Sequence, residues 1–126
     1  MNLKAALLGL ILLWSPAEIF AQVNNNSANT MLPGCRDFLA MVNDTATAKQ
    51  QGNLYGGICA GIIASAMGYQ RMFESKHRAC IPQAVTIQQA MEVVVKFLNA
   101  RPELWHEDFR FQVAAILKVT WPCGSG

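Results

Sequence analysis

His106-Glu107 opens the zinc-protease pattern H-E-x-x-H, in which two histidines one helical turn apart hold a metal and the glutamate acts as base. Position 110 is arginine, so the second ligand is missing. His77 and Cys80 supply two more ligand types at close spacing. The remaining candidates stand singly, and no two cysteines have C-x-x-C spacing, so neither a zinc knuckle nor a thioredoxin-like redox pair is signalled. Glu103 and Glu107 are spaced as a carboxylate pair on one helix face. At the start of a helix, such acids are favoured by the positive end of the macrodipole without any catalytic role. Gly56-Gly57 and Gly61 fall inside an apolar helical stretch, not between a strand and a helix, so they do not form a phosphate loop. No catalytic, metal or cofactor set assembles, and the chain reads as a non-enzyme that acts by binding.

The 126 residues allow one domain, and the first twenty-one read as a secretory signal peptide. A basic start at Lys4 precedes the apolar run Ala5 to Trp14, and Ala21 is a small residue suited to cleavage. The apolar run is about half the length needed to span a bilayer. Gln22 onward (QVNNNSAN) is polar and reads as a flexible leader to about residue 31, followed by a single domain over 32–126. Ten Lys/Arg against eight Asp/Glu give a formal net charge of +2, unchanged when Lys4 and Glu18 leave with the signal. That balance is too small and scattered to point to nucleic acid or an anionic membrane.

Hydropathy periodicity predicts an all-α domain of about four helices arranged as two hairpins. The first runs from about Pro33, which suits an opening position, to about Thr47, with Phe38, Leu39 and Val42 inward. The second runs from about Leu54 to Ser75, burying Leu54, Ile58, Ile62, Ala66, Tyr69 and Phe73. Gly57, Gly61, Ser65 and Gly68 form a row of small residues along it. Glycine costs about 1 kcal/mol per helical position relative to alanine. Such a row therefore implies close approach of a neighbouring backbone, either within the chain or from a second subunit.

Thr86 and Gln89 make a capping box for the third helix, which turns Ile87, Ala90, Met91, Val94, Phe97 and Leu98 inward. The β-branched run Val93-Val94-Val95 leaves a strand open as the alternative. Pro102 opens a fourth helix to about Val119, with Trp105, Phe109, Val113, Ile116 and Leu117 buried.

The four cysteines, Cys35, Cys59, Cys80 and Cys123, all follow the signal peptide, and an even count in an exported chain reads as disulfides. Cys80 lies twenty-one residues before Arg101, and Cys123 twenty-one after Pro102, so an antiparallel hairpin brings them to one end. Cys35 and Cys59 flank the first turn in the same way. The expected pairs are Cys35–Cys59 and Cys80–Cys123. Two inter-helix turns then stand out as partner-binding tips: Lys76, His77 and Arg78 in the first, Arg101, Trp105 and His106 in the second. Covalently tethered loops rich in Arg, Trp and His lose less freedom on binding.

The segments GGICAGIIASAMGY (56–69), CIPQAVTIQQAMEVVVKFLNARPEL (80–104) and VAAILKVTWPC (113–123) resemble the Rap/Tai family of type VI secretion amidase immunity proteins. The resemblance implies a small helical periplasmic protein, often a homodimer, that binds a peptidoglycan amidase effector and blocks its cleft. The rival expectations are a small periplasmic stress chaperone and a dimeric envelope scaffold.

Overall fold

The computed structural model describes residues 26–43 and 54–124. Among these residues are four α-helices, α1 (Ala28–Val42), α2 (Leu54–Tyr69), α3 (Ile87–Asn99) and α4 (Phe109–Thr120). Single 3-10 turns occupy Gln70–Met72, Ser75–His77 and Pro102–Leu104. The expected signal peptide, residues 1–21, and residues 22–25 of the expected leader lie outside the described residues. The core is continuous across all four helices, with Leu32, Ile63, Met91, Val94, Leu98, Phe109 and Leu117 fully buried. Both expected disulfides are present, Cys35–Cys59 and Cys80–Cys123.

α1 begins at Ala28, earlier than the Pro33 start read from sequence, and Pro33 sits inside it. Residues 28–31, assigned above to the leader, are therefore helical, and Ala28 and Met31 are buried. The cause is long-range. A helix start leaves its first N–H groups without intrahelical partners. Here Ala28 N–H donates to Glu107 O (3.1 Å) and Asn29 N–H to Trp105 O (2.8 Å), so the α3–α4 connection caps α1. In return, Phe109 N–H donates to Asn26 O at 2.7 Å. α1 ends at Val42, with Asn43 as its C-cap, short of the expected end near Thr47, which lies outside the described residues. Val42, expected inward, is exposed.

α1 and α2 pack most closely at Gly34. A Cβ there would lie 2.5 Å from Tyr55 Cβ and 2.8 Å from the Gly56 backbone nitrogen. This crossing and the neighbouring Cys35–Cys59 bond fix which side of α2 faces in: Gly56, Cys59 and Ile63 are buried. The face expected to be buried is turned outward instead. Leu54 is 70%, Tyr69 59% and Phe73 53% exposed, and Ile62 and Ala66 are only half-buried. Because α2 is apolar nearly all round, its periodicity carries little information about direction. The helix ends at Tyr69 rather than Ser75, giving way to the Gln70–Met72 turn.

The capping box of α3 forms as read. Gln89 N–H donates to Thr86 Oγ1 (3.1 Å) and Thr86 N–H to Gln89 Oε1 (3.0 Å). The expected inward set is buried at Ala90, Met91, Val94 and Leu98, whereas Ile87 is exposed. α4 starts at Phe109, not Pro102, because Asp108 is its N-cap, accepting Arg110 N–H at 2.9 Å. Residues 102–108 are thereby freed to receive the start of α1.

Candidate functional site

Twelve residues of α4, at about 1.5 Å each, separate its two ends by roughly 18 Å. The two candidate turns sit at these opposite ends. Lys118, near the end of α4, donates from Nζ to Lys76 O at 2.9 Å, which places the 74–79 loop at the C-terminal end. Arg101, Trp105 and His106 lie at the other end, beside the start of α1. The chain therefore does not bring the six candidate residues into a single patch.

The two tips also differ in kind. Trp105 is half-buried, and its indole N–H donates to Leu98 O at 2.6 Å. The Arg36 guanidinium lies 5.5 Å from its ring centre. Arg101 lies over the Phe97 ring at 4.7 Å. Of this trio, Trp105 packs against the core, while Arg101 and His106 are exposed. By contrast, residues 71–77 are exposed throughout. Lys76 is paired with Glu74 at 3.0 Å, His77 is exposed and Arg78 is half-buried.

Three ties hold the far side of this loop: the Cys80–Cys123 bond, Cys80 N–H donating to Trp121 O (2.8 Å), and Ala79 N–H donating to the buried Gln70 Oε1 (2.7 Å). The loop projects from a fixed base. This preorganisation lowers the ordering cost of recognition. Gln70 and Arg71, which sequence reading passed over, belong to the same region. They fell within the expected span of α2, Leu54 to Ser75, which concealed that the helix ends just before them.

A second surface lies along α2. Gly57, Gly61, Ser65 and Gly68 are exposed, and a Cβ added at Gly57, Gly61 or Gly68 would meet nothing within 4 Å. The small-residue row does not pack a helix of its own chain. Gly61 and Ser65 of this row, with Ile58, Ile62 and Phe73, border an apolar groove of about 680 Å³, whose other wall is Phe111 and Ala114 of α4. Phe111 is 75% exposed. The outward-facing side of α2 was hidden in the sequence, and the marker that could have revealed it is its lack of a polar face.

Arg110 at the rim of this groove holds Asp108 in a paired geometry, with Nη2 to Oδ2 at 2.6 Å. That side-chain hydrogen bond, with the backbone N–H of Arg110, holds the Asp108 carboxyl below the usual aspartate range against the opposing effect of partial burial. Both surfaces offer groups suited to contact, exposed polar side chains at the loop and an apolar groove along α2. All four thiols are consumed in disulfides, so a cysteine nucleophile is unavailable. Among the described residues, no three His, Cys, Asp or Glu side chains gather as a metal site.

In comparison with known proteins, the family model described as Rap1a immunity proteins matches residues 27–123, from the cap of α1 to the last cysteine. No curated protein matches, and no solved structure matches.

Proposed function

The chain belongs to the Rap1a immunity protein family, and from that premise we propose that it is a periplasmic immunity protein that binds and blocks a peptidoglycan amidase effector of type VI secretion. A family of this kind implies binding to an effector protein rather than catalysis. In this reading residues 1–21 are a signal peptide removed on export, which delivers the four cysteines to an oxidising compartment. The observation that carries the reading furthest is the fully exposed loop 71–77, anchored by the Cys80–Cys123 bond. A projecting loop with a fixed base is a shape that fits an enzyme cleft, and Lys76 and His77 within it, with Arg78 beside it, supply polar contacts. The Arg101, Trp105 and His106 turn, at the opposite end, serves the fold first and meets the effector only through Arg101 and His106.

The partner set includes a second copy of the chain. The exposed apolar face of α2, with its glycine row and Phe111, favours a homodimer in which backbones approach closely at Gly57 and Gly61. The same surface would be the whole function of an envelope scaffold, and would hold clients in a stress chaperone. Adding the oxidised mature chain to the amidase encoded beside it, and following muropeptide release, separates these readings. Stoichiometric inhibition is expected. Undiminished cleavage together with suppression of client aggregation would instead favour the chaperone.

A further inference from the structure

Resting on the immunity reading, we infer that the groove between the end of α2 and residues 78–85 receives a carboxylate side chain of the bound partner, held by Arg71 and Arg78. The groove encloses about 500 Å³; its lining includes both arginines, Gln70 and Gln83, with Met67 and Ile81 as apolar wall, and no acidic residue lines it. Among the described residues the other basic side chains are mostly engaged. Arg36 donates to Asn99 Oδ1 at 3.1 Å, Lys76 pairs with Glu74, Arg101 lies over Phe97, Arg110 pairs with Asp108, and Lys118 donates to Lys76 O. Among the described residues, apart from Lys96 on α3, the Lys and Arg side chains left without a partner are Arg71 and Arg78, and both line this one groove.

An arginine fork matches a carboxylate with two parallel hydrogen bonds, and partial removal from water strengthens the pair. Arg78 is half-buried, so its charge already forgoes some hydration that an anion would replace. The wall that carries Arg78 is fixed by the Ala79–Gln70 hydrogen bond and the Cys80–Cys123 bond. Gln70 is 8% exposed, and its Nε2 has no protein partner among the described residues, which leaves one more donor at the floor of the groove.

The test is a nitrogen-15 NMR titration of the oxidised mature chain with acetyl-Gly-Glu-Asp-Glu-Gly-amide, with the Gln/Asn counterpart peptide and inorganic phosphate as controls. The acidic peptide is expected to give saturable shifts at the Nε–H signals of Arg71 and Arg78 and at the Gln70 amide. These shifts are lost in Arg71→Gln and Arg78→Gln and kept in Lys96→Gln. No saturable shift, or equal shifts with the neutral peptide or phosphate, would overturn the assignment. On the effector encoded beside this chain, Arg78→Gln is expected to weaken binding roughly tenfold to a hundredfold, the effect of losing one charge-assisted hydrogen bond. Unchanged affinity in that variant overturns the carboxylate site while leaving the immunity reading standing. If the unaltered chain binds no effector, the immunity reading fails, and the peptide titration alone decides what the groove holds.

Discussion

Gln70 and Ala79 are joined by a buried hydrogen bond of 2.7 Å, in which the Ala79 backbone N–H donates to the Gln70 side-chain oxygen. This one contact fastens the end of α2 to the base of the exposed loop. Gln70→Leu would leave a buried N–H without an acceptor, a loss of about 1–3 kcal/mol. Urea unfolding is expected to show that loss, and amide exchange at Ala79 and Cys80 to accelerate beyond the global change. Unchanged exchange there would mean that the disulfide and the Cys80–Trp121 backbone hydrogen bond hold the loop base without it.

The two disulfides close loops of 24 and 43 residues. By chain entropy these contribute at most about 3.5 and 4 kcal/mol, a large part of the stability of so small a domain. The Cys80→Ala/Cys123→Ala pair is expected to lower the unfolding free energy by about 2–4 kcal/mol and to loosen residues 74–80, while α1 and α2 keep their protection. Equal loosening of both hairpins would contradict the assignment of the second disulfide to the loop.

Two glycines with opposite surroundings give a paired test. Gly34→Ala drives a methyl into Tyr55 and the Gly56 backbone, and is expected to destabilise by about 1–3 kcal/mol. Gly61→Ala meets open space and is expected to stabilise the monomer by up to about 1 kcal/mol through helix propensity. Gly61→Glu is expected to keep the monomer folded and abolish the proposed dimer in sedimentation velocity. A dimer that survives it would move the interface away from α2.

Much of this fold is legible from local signals. The capping box at Thr86 and Gln89, the helix break before Pro102, and the spacing of the cysteines lead to two stapled pairs of helices. What local reading misses depends on distant partners. Nothing near Ala28 announces that the carbonyls of Trp105 and Glu107 will cap α1, and Pro33 offers a false start. The facing of α2 depends on the crossing at Gly34, because Leu54, Ile58 and Tyr69 on one side are as apolar as Cys59 and Ile63 on the other. The loop tip at 76–78 was visible as a polar interruption, whereas Arg71 became part of the same region only once α2 ended at Tyr69.

Asp108 caps α4 and pairs with Arg110, and its carboxyl is held below the ordinary value of 3.8. A depressed carboxyl contributes its stabilisation fully above the unfolded-state value, and loses it as pH falls through the folded-state value. Asp108→Asn keeps a capping oxygen without the charge. Unfolding midpoints are expected to be lower for the variant near neutral pH, with the gap closing below about pH 4. A gap independent of pH would show that the ion pair carries no part of the effect.

Binding to an effector through the clamped loop is the central claim. The most direct measurement titrates the oxidised chain from Gln22 onward, and its Lys76→Glu/His77→Glu variant, into a candidate type VI peptidoglycan amidase effector while muropeptide products are quantified. Complete inhibition at one site equivalent, with at least a tenfold weaker effect of the variant, is the expected result. Full amidase activity in the presence of excess unaltered chain, with no complex detected by native mass spectrometry, would contradict it.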